Sequence, residues 1–69
     1  MKIDPELIPL FEYMEDYDND DLGILGKAYK LIDIAYEYMQ SNPYIKSKLT
    51  GASQALYFYN EWQKQKLEE

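Results

Sequence analysis

The fold is decided by residues 20–40, which read DDLGILGKAYKLIDIAYEYMQ. Their apolar side chains recur at spacings of three and four, the period of an α-helix with a buried face. On a helical projection these side chains cover an arc of about 180–200°, and the polar residues fill the rest. An arc this wide predicts a central helix that packs against neighbours on two sides. Its members form two adjacent lines, Leu22, Leu25, Tyr29, Ile32, Tyr36 and Met39 in one and Ile24, Ala28, Leu31, Ala35 and Tyr38 in the other.

The start of the central helix carries two unusual features. Asn19 or Asp20 is expected to cap it, because short polar side chains bond readily to nearby backbone N–H groups. Gly23 and Gly26 follow in the first turns, where glycine weakens a helix by roughly 1 kcal/mol relative to alanine. We expect these glycines to let another segment approach the helix closely.

A shorter helix precedes the central one, over residues 5–16. Asp4-Pro5-Glu6 is typical of a helix start, with Asp as the N-cap and Pro at the first position. Pro9 cannot donate a backbone hydrogen bond, so the first turn is expected to be separate or the helix to be kinked at Ile8-Pro9. The buried face is predicted to contain Leu7, Leu10, Phe11 and Met14.

A third helix is predicted over residues 43–66. Asn42-Pro43 ends the central helix, and proline suits the first position of the next one. Thr50-Gly51 could interrupt this helix, but the apolar period continues through it and favours an unbroken helix. The predicted fold is therefore an all-α, small three-helix bundle whose second and third helices are antiparallel. Its expected core stripe on the third helix is Ile45, Leu49, Ala52, Leu56 and Tyr59.

The chain has 69 residues, which is room for a single helical domain spanning residues 1–69. Domains this small often gain stability from disulfides, a metal or self-association. The sequence has no Cys and no His. The absence of Cys excludes disulfides, a thiolate zinc site and a cysteine nucleophile, and the absence of His removes the commonest transition-metal ligand. Eight Tyr, two Phe and one Trp supply large rings instead. We therefore expect an aromatic-rich core, a homodimer, or both.

Negative charge is concentrated at the amino-terminal end. Residues 1–22 hold eight acids and one lysine (−7), residues 23–49 hold four lysines and two acids (+2), and residues 50–69 add −1, which totals −6. A nucleic-acid binder needs a basic stripe, so direct binding of nucleic acid is not expected. An acidic end suits a protein partner with a basic surface. The expected acidic surface comprises Glu12, Glu15, Asp16, Asp18, Asp20 and Asp21.

No metal site or catalytic site is predicted. The acidic turn resembles a calcium loop in spacing, but Asp21 stands where glycine is needed and Lys27 where a bidentate glutamate is needed. Asp33 and Glu37 are one helical turn apart, and such pairs can carry acid–base chemistry. Their neighbours on the polar arc are lysines, which indicates a solvated face. The serines lack a histidine to activate them, so we expect no enzyme activity and no cofactor.

Five apolar side chains are candidates for a protein interface. Phe58 and Trp62 adjoin the core stripe of the third helix, and the shorter first helix is not expected to reach Trp62. Two such flanks meeting about a two-fold axis would form a homodimer. Tyr57 projects onto the polar face of the same helix, and Ile34 lies in the polar arc of the central one. Tyr44 completes the set.

The favoured function is a small acidic protein-interaction module, a regulator or inhibitor that docks on a protein partner without catalysis. Two alternatives stay open: an acidic inhibitor that imitates nucleic acid, or a purely structural oligomer subunit. The chain has no Arg and no Val, which fits an AT-rich coding sequence such as that of a phage or plasmid. No apolar segment is long enough to cross a membrane, and the start does not resemble a signal peptide. A cytoplasmic location is expected.

Overall fold

The computed structural model describes residues 3–18 and 20–68, with Asp20 described by its backbone alone. Every regular element in these residues is helical, so the predicted all-α bundle is confirmed. The described part contains four α-helices rather than three. The elements in chain order are a 3-10 helix Pro5–Leu7, α1 Ile8–Asp16, a 3-10 helix Asp20–Leu22, α2 Gly23–Ser41, α3 Pro43–Ser47 and α4 Ala52–Glu68.

The first helix begins as its proline residues require. The Asp4 carboxylate accepts a hydrogen bond from the backbone N–H of Glu6 at 2.9 Å and caps the 3-10 helix. α1 starts at Ile8 and carries Pro9 in its first turn. Backbone N–H groups in the first turn of a helix have no acceptor within that helix, so the missing N–H of proline breaks no helical hydrogen bond there. The predicted separate first turn is confirmed. The four residues of the predicted apolar face, Leu7, Leu10, Phe11 and Met14, are all buried.

The central helix begins later than predicted, and Gly23 is the reason. Asp20–Leu22 forms a 3-10 helix, and α2 starts at Gly23 with a φ of +72°, a value that glycine adopts without the strain of a Cβ atom. A Cβ at Gly23 would meet nothing within 4 Å, and one at Gly26 would meet only Leu22, at an ordinary 3.6 Å. The expected close approach of another segment is therefore wrong. The predicted cap by Asn19 or the Asp20 side chain lies outside the described residues.

The predicted unbroken third helix is wrong. α3 ends at Ser47 and α4 begins at Ala52, so the chain leaves the helical path around Thr50-Gly51. The Thr50 backbone N–H donates to the Gln54 side chain at 2.8 Å, a local bond that satisfies a donor at the start of α4. The apolar period concealed the break because both pieces direct apolar residues to the same core.

One cluster of buried residues lies between the helices. α4 contributes Ala55 and Tyr59, both fully buried, whereas Leu49, Ala52 and Leu56 of the expected stripe are half-buried. The most deeply buried line of α4 therefore passes through Ala55 and Tyr59, rather than through Ala52 and Leu56. The buried set is Leu7, Leu10, Phe11, Met14, Leu31, Ala35, Met39, Ile45, Ala55 and Tyr59.

α2 and α4 make the most extensive contact between helices. Ile24 and Lys27, near the start of α2, line the same groove as Asn60 and Gln63 in the second half of α4. The two helices are joined at the opposite end through α3, so they run antiparallel, as predicted. Ala35 on α2 is fully buried, as expected for a small residue at a close helix contact.

The first helix reaches farther than the sequence suggested. The Trp62 ring packs against the Phe11 ring of α1, with centroids 5.5 Å apart, and against the Tyr59 ring at 6.0 Å. The Lys66 ammonium covers the indole at 4.2 Å. The expectation that Trp62 lies beyond α1 is therefore wrong, and the homodimer predicted from it loses its premise.

Candidate protein-docking surface

One line of large apolar side chains, on α2 and at the residue immediately before it, is left uncovered. We call Leu22, Leu25, Tyr29 and Tyr36 the outer stripe. Their exposed fractions are 41%, 74%, 70% and 57%. All four belong to the arc that the sequence assigned to packing between helices. α2 does pack against neighbours on two sides, α4 and α1, as predicted, but neither of them covers this line.

The outer stripe is uncovered because the neighbours of α2 lie elsewhere around it. The line Leu31, Ala35 and Met39 is buried, and the outer stripe lies about 110° round the helix from that line. α1 contacts a third side, where the Tyr13 and Tyr38 rings are 5.2 Å apart. α1 has nine residues and α2 has nineteen, so no described helix remains to cover the outer stripe.

Two carboxylates border the outer stripe on its solvent side. Asp33 and Glu37 are exposed and one helical turn apart, and neither forms an ion pair within the part of the chain that the structure describes. Lys30 is the basic residue on the same edge. This side of the stripe therefore has a polar border with an excess of negative charge, which is the arrangement of an interface with an apolar centre and a polar rim.

α2 and α4 form a groove on a different side of α2 from the outer stripe. The groove has a volume of about 270 Å³, and its apolar residues include Ile24, Leu31 and Leu56. Ile24 is 88% exposed at the rim. Ile24 and Leu25 are adjacent in sequence but point about 100° apart around the helix, so the groove and the outer stripe are separate apolar surfaces.

The polar end of the groove is organised by Asp18. Its carboxylate is 2.8 Å from the Lys27 ammonium and accepts a hydrogen bond of 2.8 Å from the Tyr59 hydroxyl. Gln63 donates to the same hydroxyl at 2.9 Å. Partial burial acts to raise the pKa of Asp18, but the hydrogen bonds from Lys27 and Tyr59 outweigh it and hold this pKa below the usual value. Burial and the Asp18 charge raise the pKa of Tyr59.

The structure corrects the predicted acidic surface. The Asp18 side chain is only 14% exposed and holds the fold together, and Glu15 pairs with Lys66 at 2.9 Å. Asp16 and Glu12 are exposed on α1, and Asp21 is exposed at the start of the α2 segment. The side chain of Asp20 lies outside the described residues.

The five predicted interface residues do not form one patch. Trp62 is half-buried against α1, as described above, and Ile34 is half-buried against the core. Phe58 is half-buried beside Leu7 and Lys48. Their role in binding stays a prediction. Tyr44 and Tyr57 are 60% and 56% exposed.

Tyr44 also fastens the amino-terminal turn to α3. Its hydroxyl donates a hydrogen bond to the Glu6 carboxylate, and the Lys48 ammonium lies 3.2 Å from both Asp4 and Glu6. The Tyr44 hydrogen bond and then Lys48 lower the pKa of Glu6, and the hydrogen bonds to Asp4 and Glu6 raise the pKa of Lys48. Tyr44 is therefore engaged within the molecule despite its exposure.

The arrangement of the described residues is suited to binding. The outer stripe offers two exposed phenol groups and two leucines but no activated nucleophile. In the part of the chain that the structure describes, no three acidic side chains converge as a metal site would require. Sequence reasoning missed the outer stripe because it treated the whole apolar arc as core. The width of that arc was the available signal. A nine-residue α1 and a single long helix, α4, leave part of so wide a face uncovered.

Comparisons with known proteins add no relatives: the sequence matches no protein-family model, no curated protein and no solved structure. None of the described helices has the length and apolar character needed to cross a membrane.

Proposed function

We propose that this chain is a non-enzymatic protein-interaction module that binds a protein partner through the outer stripe of α2. The observation that carries the proposal is the exposure of Leu25, Tyr29 and Tyr36, at 74%, 70% and 57%, along one face of a single helix. The stripe presents roughly 400 Å² of contiguous side-chain surface, which is in the range of the largest, often functional patches on monomeric proteins.

The residue types of the outer stripe support binding to a protein. Tyrosine combines a large apolar ring with a hydroxyl that can bond to a partner, and it loses little conformational freedom when it is immobilised. The chain carries a net charge of −6, which disfavours association with acidic surfaces and favours a partner with basic residues around its contact surface. A regulator or inhibitor acting in the cytoplasm would fit this chemistry, and phage origin is a further hypothesis.

The alternative function of a nucleic-acid mimic has less support. Such an inhibitor must present many free carboxylates in the places of phosphates. Asp18 is held inside the fold and Glu15 is paired with Lys66, so the amino-terminal acids form a sparser surface than the sequence suggested. A purely structural oligomer subunit is the second alternative, and the experiment below distinguishes it.

The proposed function is tested by affinity capture from the cell of origin with three single variants. Tyr29→Ser and Tyr36→Ser alter the outer stripe, whereas Tyr57→Ser alters a residue of α4 that is 56% exposed, like Tyr36 at 57%. We expect the wild-type chain and Tyr57→Ser to retain a partner that both stripe variants lose. Equal recovery by all variants, or recovery of the chain alone, would contradict the proposal; the latter result would favour the structural oligomer.

A further inference from the structure

We infer that the occupant of the outer stripe is an amphipathic helix of the partner that carries Lys or Arg along one flank only. This inference rests on the proposed function and specifies the chemistry of the partner. It follows from the asymmetry of the two borders of the stripe. Asp33 and Glu37 give one border an excess of negative charge, whereas the half-buried apolar residues Ala28 and Ile32 form the other.

The spacing of the stripe suits a helix lying along α2. Leu25, Tyr29 and Tyr36 follow one another at four and seven residues, so they form a nearly straight row along the axis of α2. Leu22 immediately precedes the helix. A partner helix with apolar residues at the same helical spacing can pack its side chains against such a row.

Charge complementarity determines the flanks of the partner helix. Asp33 and Glu37 border the stripe on one side, and both are exposed without an ion-pair partner among the described residues. A partner helix in contact with the stripe brings one flank close to these carboxylates, where Lys or Arg is favoured. Its other flank lies toward the half-buried Ala28 and Ile32 and needs apolar residues instead.

A second copy of this chain is a poorer occupant on grounds of charge. Each copy carries a net charge of −6, which opposes self-association.

The test is a selection from a displayed library of helical peptides of about 20 residues, a length at which a helix begins to be stable alone. The wild-type chain is the bait, and the Tyr29→Ser/Tyr36→Ser variant removes peptides that bind elsewhere. We expect the selected peptides to share an apolar face and to carry Lys or Arg on one flank. Synthetic versions of the best peptides then serve as probes in calorimetric titrations.

Charge reversal provides the matched control. Asp33→Lys/Glu37→Lys and Glu12→Lys/Asp16→Lys change the net charge equally, and both pairs are exposed and one helical turn apart. We expect the first variant to bind the probe peptides about tenfold more weakly or worse, and the second less than about threefold more weakly, because only the first removes local contacts. Circular dichroism verifies that both variants stay helical.

Four results would overturn the inference. Selected peptides without an excess of basic residues, or equal weakening by both charge variants, would refute the flank chemistry while leaving the proposed function intact. Failure to select any stripe-dependent peptide would refute a helical occupant, and the capture experiment would still test the proposed function separately. Sedimentation showing self-association that Tyr29→Ser/Tyr36→Ser abolishes would make a second copy the occupant.

Discussion

The Tyr59 hydroxyl donates a hydrogen bond of 2.8 Å to the Asp18 carboxylate, across a separation of 41 residues in the chain. The bond fastens the segment before α2 to the middle of α4. Asp18 also pairs with Lys27 of α2 at 2.8 Å, so one carboxylate links three parts of the fold. A buried aromatic residue thereby positions the start of α2, where the outer stripe begins.

Tyr59→Phe should lower the free energy of unfolding by about 1–3 kcal/mol, because it removes a donor to a mostly buried carboxylate. Urea denaturation followed by circular dichroism measures the change. Tyr57→Phe is the matched control, since Tyr57 is exposed on the same helix and its substitution should change stability by less than about 0.5 kcal/mol. Equal effects of the two substitutions would contradict a structural role for the Tyr59 hydroxyl.

Acid should weaken the fold partly through Asp18. The pKa of this group is lowered in the folded state, so its ionised form contributes stability above its unfolded pKa of about 3.9. That contribution is lost as the pH falls through the lower folded pKa. Asp18→Asn should reduce the slope of stability against pH below about pH 4, measured by urea denaturation at several pH values. An unchanged slope would show that other carboxylates account for the acid dependence.

The two glycines at the start of α2 should respond in opposite directions to alanine. Gly23→Ala should destabilise the fold by about 1–2 kcal/mol, because the φ of +72° is costly for a residue with a Cβ atom. Gly26→Ala should stabilise it by up to about 1 kcal/mol, since the added Cβ makes only an ordinary contact and helix propensity improves. Thermal denaturation of both variants decides the matter, and stabilisation by Gly23→Ala would contradict the described start of α2.

Ala35→Leu should cost about 1–3 kcal/mol by overpacking the core, because Ala35 is fully buried on the side of α2 that faces the other helices. A neutral or stabilising effect in urea denaturation would indicate a gap beside Ala35.

Trp62→Ala and Tyr36→Ala should separate the core from the outer stripe. Trp62 packs on Phe11 and Tyr59, so its removal should cost about 2–4 kcal/mol. Tyr36 is 57% exposed, so its removal should cost less than about 1 kcal/mol. The measurement is urea denaturation, with sedimentation to record the oligomeric state. A small cost for Trp62→Ala accompanied by loss of a dimer would restore Trp62 as an interface residue.

Local signals were enough to predict the all-α fold, the start of the first helix and its apolar face. Asp4, Pro5 and Pro9 act through their own backbone neighbours, so their effects could be predicted without knowledge of the rest of the fold. The burial of the Asp18 side chain could not be predicted in this way, because its partner Tyr59 is distant in sequence. The break at Thr50-Gly51 was hidden for a related reason: periodicity records the side on which a residue lies, and both pieces direct their apolar side to one core.

The outer stripe shows the limit of periodicity most clearly. Leu25, Tyr29 and Tyr36 have the spacing of core residues, and only the lengths and placement of α1 and α4 reveal that nothing in the described chain covers them. The same limit led to the wrong expectation that Trp62 lies beyond the reach of α1. Apolar periodicity predicts that a face will be covered, but it does not say whether the covering surface belongs to the same chain.

Nitration of the tyrosines, read by mass spectrometry in the isolated chain and in the complex captured from the cell of origin, tests the central claim most directly. We predict that Tyr29, Tyr36 and Tyr57 react in the isolated chain and that Tyr59, which is fully buried, does not. In the complex, Tyr29 and Tyr36 should become protected while Tyr57 stays reactive. Protection of Tyr57 with undiminished reaction of Tyr29 and Tyr36 would contradict docking through the outer stripe.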